Sequence, residues 1–251
     1  MCALPILSRK NSLKIFNYLL KRADFDGLHE PRLLNEFFGH GSYTFVDVGA
    51  NYPETSLSTP LEMKGWKGVV IEPQPSCVNM LKKYRKCKVI QSACSSYQNK
   101  NKKMKLWVAG PLSSLNLEFI APKDRPKQFI YVNIKTLDQI LIENNIKKID
   151  LLAIDVEGAE IEVLSGLDFK KFPPKLILIE DHARDFVKHN FLKKKGYKLF
   201  RRTGYNAWYA KEKYAIPVSL LGRLQLWIKY YIGGPLRNFR RWCHQYSLSF
   251  S

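Results

Sequence analysis

The sequence predicts an α/β protein: a mostly parallel sheet ending in an antiparallel hairpin, with helices on both faces. Three observations predict it. Short apolar runs at 45–48, 68–71, 149–154 and 176–179 alternate with longer segments whose apolar residues recur at helical spacing. The run at 149–155 is almost continuously apolar, as a central parallel strand covered on both faces requires. Segments 197–201 and 206–210 flank Thr203-Gly204-Tyr205, a hairpin signature.

Each element has its own local reason. Residues 12–38 are helical in pattern, with Leu13, Phe16 and Leu20, then Leu33, Leu34 and Phe37, and are expected to cover one edge of the sheet. Gly39-His40-Gly41-Ser42 breaks that helix before the first strand, 43–48. Thr59-Pro60-Leu61-Glu62 reads as a helix start, with Thr59 as cap, Pro60 at the first helical position and Glu62 closing a capping box. That leaves 51–58 as a loop long enough to fold over a ligand. A strand ending at Glu72, a helix over 75–86 and a strand over 88–92 follow. Strand-like segments 104–108 and 129–134 enclose a polar, irregular insertion, 109–128, of the kind that builds substrate sites at strand ends. Thr136 caps a helix running to Asn145, and helices over 158–164 and 183–195 follow the two central strands, the second stopped by Gly196. The chain divides into a helical extension (1–40), an α/β domain (41–212) and a basic tail (213–251).

A chain of 251 residues is long enough for one such domain with short extensions. Its 41 Lys and Arg against 22 Asp and Glu give a formal charge of +19, which points to an anionic partner or surface. The five cysteines, Cys2, Cys77, Cys87, Cys94 and Cys243, are odd in number, scattered and without a C-x-x-C pair. That excludes a zinc site and a disulfide framework and points to a reducing, cytoplasmic compartment. The apolar run at 1–7 is too short for a signal peptide, no Asn-x-Ser/Thr sequon occurs, and no uncharged apolar run approaches a membrane span.

The most informative stretch is Phe45-Val46-Asp47-Val48-Gly49-Ala50-Asn51, followed by Gly68-Val69-Val70-Ile71-Glu72-Pro73. A first strand ending in Gly brings bare backbone close to a ligand, and a second ending in an acid offers a carboxylate to two vicinal ribose hydroxyls. Glu72 is the ribose candidate; read singly, it caps the next helix and Gly49 turns the chain. The dinucleotide fingerprint needs further glycines, whereas Asn51, Tyr52 and Pro53 follow here, and Pro53 has no amide to give a pyrophosphate. A nucleoside without phosphate, such as S-adenosylmethionine, imposes no such demand.

The blocks 45–51, Ile71-Glu72-Pro73, Val132-Asn-Ile-Lys-Thr-Leu-Asp138 and Leu151-Leu-Ala-Ile-Asp-Val-Glu-Gly-Ala-Glu160 together resemble the FkbM-type S-adenosylmethionine-dependent methyltransferases over about residues 43–210. The resemblance implies a Rossmann-like class I methyltransferase fold and O-methylation of a sugar, glycan or similar alcohol. Tyr52-Pro53 stands where the family often has a second glycine, and Ala153 where it commonly has lysine.

Ligands in such sheets sit outside the strands' carboxyl ends. That edge collects Asp47, Gly49, Ala50, Asn51, Glu72, Pro73, Ser92, Ala93, Asp155, Glu157, Glu180, Asp181 and His182. Acids converging there repel one another unless a cation or shared proton intervenes. Asp47 is the expected partner of the cofactor's amino-acid end, with Asp155 or Glu157 facing the methyl side. A hydroxyl acceptor needs a base or a metal. His182 is the candidate base, with Asp155 as its orienting partner or as the base itself; the alternative for His182 is capping or packing. Asp155, Glu157 and Asp181 are also a candidate Mg²⁺ site.

After Glu212 there is no Asp or Glu, while Lys213, Arg223, Lys229, Arg237, Arg240 and Arg241 remain. Leu220, Leu221, Leu224, Trp227, Ile228, Tyr231 and Ile232 form one helical stripe, and Leu236, Phe239, Cys243 and Tyr246 begin another. Two readings stand. Residues 216–251 lie on an anionic membrane surface, placing the protein on the inner face of a membrane, or the stripe packs on the domain or on a second subunit. The competing function is a basic nucleic-acid-binding protein or RNA methyltransferase, which the charge invites and no RNA-binding motif supports.

Overall fold

The computed structural model describes residues 30–181, 186–217, 220–227 and 231. In chain order its helices and strands are α1 (Glu30–Phe38), β1 (Thr44–Val48), α2 (Thr59–Met63), β2 (Lys67–Glu72), α3 (Pro75–Tyr84), β3 (Lys88–Gln91), β4 (Ala93–Cys94), β5 (Lys103–Trp107), β6 (Phe129–Lys135), α4 (Leu137–Glu143), β7 (Leu151–Ile154), α5 (Glu160–Ser165), β8 (Leu176–Glu180), α6 (Val187–Lys194), β9 (Tyr197–Thr203), β10 (Asn206–Lys211) and α7 (Leu220–Trp227). The main sheet has the order β3-β2-β1-β7-β8-β10-β9, and β4-β6-β5 form a small second sheet. Strands β3 to β8 of the main sheet run parallel, and β10 joins β8 antiparallel and pairs with β9 as a hairpin. The predicted architecture is thus the observed one, a class I methyltransferase fold.

Side chains alternate across each strand, and both faces are dry. Val46, Val48, Ile71, Leu152, Ile154, Ile177 and Ile179 face a core closed by Leu141 of α4, Leu164 of α5 and Leu192 of α6. Phe45, Val70, Leu151, Leu176 and Leu178 face the opposite core, closed by Leu34 of α1, Leu61 of α2 and Leu81 of α3. Strand order reverses between β1 and β7, which leaves a crevice above their carboxyl ends.

Local chemistry sets the element ends. Thr136 caps α4 with a complete capping box, its hydroxyl taking the Gln139 N–H while the Gln139 side chain takes that of Thr136. The capping box expected at Thr59 is not formed. Ser58 holds the cap position without a side-chain cap bond, and the Thr59 hydroxyl donates to the Pro53 carbonyl at 2.6 Å. Glu62 instead accepts from Arg85 Nε at 2.6 Å and from the amides of Lys86 and Cys87. A buried guanidinium offers a carboxylate a charged partner, and the local amide loses that competition.

Residues 1–29, which hold the first part of the predicted N-terminal helix, lie outside the described residues. So do residues 182–185 and, in the tail, 218–219, 228–230 and 232–251, with the second predicted amphipathic stretch. α7 lies along the outer strand β9. Its Leu220, Leu224 and Trp227 are exposed to solvent. No helix among the described residues is long and apolar enough to cross a membrane.

Candidate active site

The carboxyl ends of β1, β2 and β7 surround a groove of about 340 Å³. At its floor Gly49 has φ +84°, and its N–H donates to the Ile71 carbonyl at 2.9 Å. A Cβ at Gly49 would stand 1.7 Å from the Asp155 carbonyl oxygen, so only glycine lets β1 and β7 approach this closely. The chain then rises through Ala50 and Asn51, the latter also left-handed at φ +53°, and the loop 51–58 brings Thr55, Ser56 and Leu57 to the wall. Gln74, Pro73, Ser92 and Ala93 line the other side.

Glu72 closes β2, buried to 3 % exposure. One carboxylate oxygen accepts the Asn51 N–H at 2.9 Å and the other the Gln74 N–H at 2.8 Å. Gln74 precedes α3, so the helix-capping reading of Glu72 and the ligand reading coexist: each oxygen keeps a lone pair that a hydroxyl can use. Burial raises its carboxyl above the ordinary range, with Asp47 adding to the rise, while the two amide bonds oppose it.

Asp47 lines the groove with most of its surface covered. Its Oδ2 accepts from the hydroxyls of Ser56 at 2.7 Å and Ser58 at 2.6 Å. Arg85 in turn donates 2.9 Å bonds to both hydroxyls. The chain Asp47, Ser56 and Ser58, Arg85, Glu62 ties the loop over the groove to α2 and α3. Sequence reasoning did not find Ser56, Ser58 or Arg85, because no short-range pattern connects them to Asp47.

Asp155 and Glu157 follow β7 and also line the groove. Oxygens of Asp155, Glu157 and Glu180 lie within 4.8 Å of one another, a spacing that a hard cation can bridge. The Asp155 side chain reaches solvent at the groove mouth, yet protein surrounds the carboxyl on most sides. That burial, with Glu180, Glu157, Glu160 and Asp47 nearby, pushes it up to about 8. The predicted metal candidate Asp181 is not in this cluster: its Oδ2 pairs with Arg202 Nη1 at 3.3 Å, and Glu180 takes the place beside Asp155. The reason is strand alternation, which turns Asp181 away from the side on which Glu180 sits. His182 lies outside the described residues.

The insertion 109–128 forms the remaining wall, through Pro111, Ser113 and Leu115. It is clamped to the β7 end, where Ser114 Oγ donates to the Glu157 carbonyl at 2.6 Å. The Phe119 ring lies against Gly158, where a Cβ would come within 2.3 Å of it. Glu30 of α1 and Asn206 of β10 complete the lining, and Asn206 Nδ2 donates to Glu30 Oε1 at 2.9 Å. Neither was foreseen, and nothing local in the sequence marks them.

A groove at the reversal point, with bare backbone at one strand end and an acid at the next, is the arrangement of an α/β protein of the class I methyltransferase type. The sequence model of one family, described as the methyltransferase FkbM domain, matches residues 47–200, the greater part of the chain. The protein belongs to the FkbM methyltransferase family. A search of curated proteins found no match.

Proposed function

We propose that the protein transfers a methyl group from S-adenosylmethionine to a hydroxyl of a sugar, glycan or similar alcohol. The observation that carries the cofactor reading is Glu72, a buried carboxylate with an amide on each oxygen, beside a glycine floor that no side chain can occupy. A groove of this size suits a nucleoside, and the Pro53 position removes an amide that a pyrophosphate would need. Gly49, Ala50, Asn51, Pro73, Ser92 and Ala93 would hold the cofactor beside Glu72, and Asp47, which lines the groove, its amino group. When bound, S-adenosylmethionine supplies an electrophilic methyl group.

The chain's own contribution is orientation and proton removal. Walls from the loop 51–58 and the insertion 109–128 confine an acceptor near the β7 end, where positioning supplies most of the rate. The Asp155 carboxylate, with Glu157 and Glu180 around it, takes the proton from the acceptor hydroxyl as the oxygen becomes nucleophilic. A raised affinity for protons suits that task. His182 remains the other candidate base, and Mg²⁺ held by Asp155 and its neighbours an alternative activator.

Titration calorimetry tests the cofactor reading. S-adenosylmethionine and its demethylated product are expected to bind, and NAD is not. Glu72→Gln should weaken binding by about tenfold or more, the scale of a charge-assisted hydrogen bond. Unchanged affinity in that variant would remove the assignment of Glu72 to the ribose.

A further inference from the structure

α7 carries an apolar stripe that faces water. Leu220 is 83 % exposed, Leu224 52 % and Trp227 51 %. Steps of four and three residues put these side chains on one helix face. Tyr231, also exposed, follows after four more, and its ring centroid lies 5.7 Å from that of Trp227. A helix that serves only to cover a domain turns such a stripe inward.

The sequence around the stripe is cationic. No acid follows Glu212, whereas Lys213, Arg223, Lys229, Arg237, Arg240 and Arg241 do. Strand β9, along which α7 lies, carries Lys198, which pairs with Glu212, and helix α6, which packs on the same strand, carries Lys193 and Lys194, all three lysines exposed. Placement adds a third observation: the Tyr231 ring sits 5.2 Å from that of Phe186, which immediately precedes α6 beyond the carboxyl end of β8. The stripe therefore extends toward the sheet edge at which the groove opens.

We infer that α7 and the basic tail dock on an anionic bilayer. Leu220, Leu224, Trp227 and Tyr231 enter the boundary between headgroups and acyl chains, and the lysines and arginines lie over the anionic headgroups. Exposed aromatic and aliphatic groups in a sequence that is rich in cations and has no acid after Glu212 complement such a surface in both charge and polarity. The docking does not depend on the reading of the groove; if that reading holds, the acceptor is one presented at the bilayer surface.

The test is co-sedimentation of the full-length chain with phosphatidylcholine vesicles and with vesicles that also contain phosphatidylserine, alongside the double variant Leu224→Glu, Trp227→Glu. The wild type is expected to pellet with the anionic vesicles and to be released by raised salt, and the double variant to bind at least about tenfold more weakly. Because both side chains are exposed, the variant should melt at the wild-type temperature; if it does not fold, Leu220→Glu gives the same reading. No pelleting with anionic vesicles overturns the proposal. Equal pelleting of wild type and variant also overturns it, since the stripe then inserts nowhere. A wild-type dimer in sedimentation velocity that the substitutions dissolve, without vesicle binding, assigns the stripe to a second copy of the chain instead.

Discussion

At the scale of single residues, Gly49 and Asp155 make opposite demands on the β7 end. Gly49→Ala would drive a methyl group into the Asp155 carbonyl in a left-handed conformation. The expected loss is roughly 3 kcal/mol or more in urea unfolding, together with loss of cofactor binding. Asp155 governs pH dependence. An isolated aspartate ionises near pH 4. Held up to about 8, the folded carboxyl keeps a proton over a window in which the unfolded chain has released it. Its contribution is therefore complete below the unfolded value and is lost as pH rises through the folded one. Unfolding curves between about pH 5 and 9 should show the stability of the ligand-free protein declining, and Asp155→Asn should flatten that decline. A decline of equal slope in the variant would assign it to other groups.

At the scale of elements, the loop over the groove is held by charge as well as by the packing of Leu57 on the core. The Arg85 side chain is 1 % exposed and binds Glu62 directly and Asp47 through two serine hydroxyls. Arg85→Met removes the cation and leaves two carboxylates facing each other's field, which should cost about 3 to 5 kcal/mol. Arg85→Lys is expected to recover only part of this, because an ammonium cannot span three acceptors in a plane. Denaturant titration of the two variants checks both expectations. The same network marks the limit of what the sequence discloses. Strand ends at Gly49, Glu72 and Asp155 were legible because each follows a short apolar run that can only be a buried strand. The Thr136 cap was legible because its partners lie within one turn. Thr59 and Glu62 have the same pattern yet are diverted, since Pro53 and Arg85 compete for them from other elements. Glu30 was hidden for a similar reason: its partners Thr203 and Asn206 lie 173 and 176 residues away.

At the scale of the whole molecule, the groove draws on elements from α1 to β10, so ligand binding should stabilise the entire sheet. Cofactor at about one hundred times its dissociation constant is expected to add roughly 2.7 kcal/mol, seen as a rise of several degrees in the melting temperature. NAD at the same concentration should leave it unchanged. The strand order has a further consequence for biogenesis. β1 meets β2 early, but its other neighbour is β7, with Phe45 opposite Leu151. Roughly 100 residues must therefore leave the ribosome before that edge is satisfied, which at about 5 to 20 residues per second takes about 5 to 20 seconds. Throughout that interval an apolar strand edge destined for the centre of the protein stands open to other nascent chains. Soluble yield should accordingly follow translation speed and chaperone supply more closely than the stability of the finished enzyme.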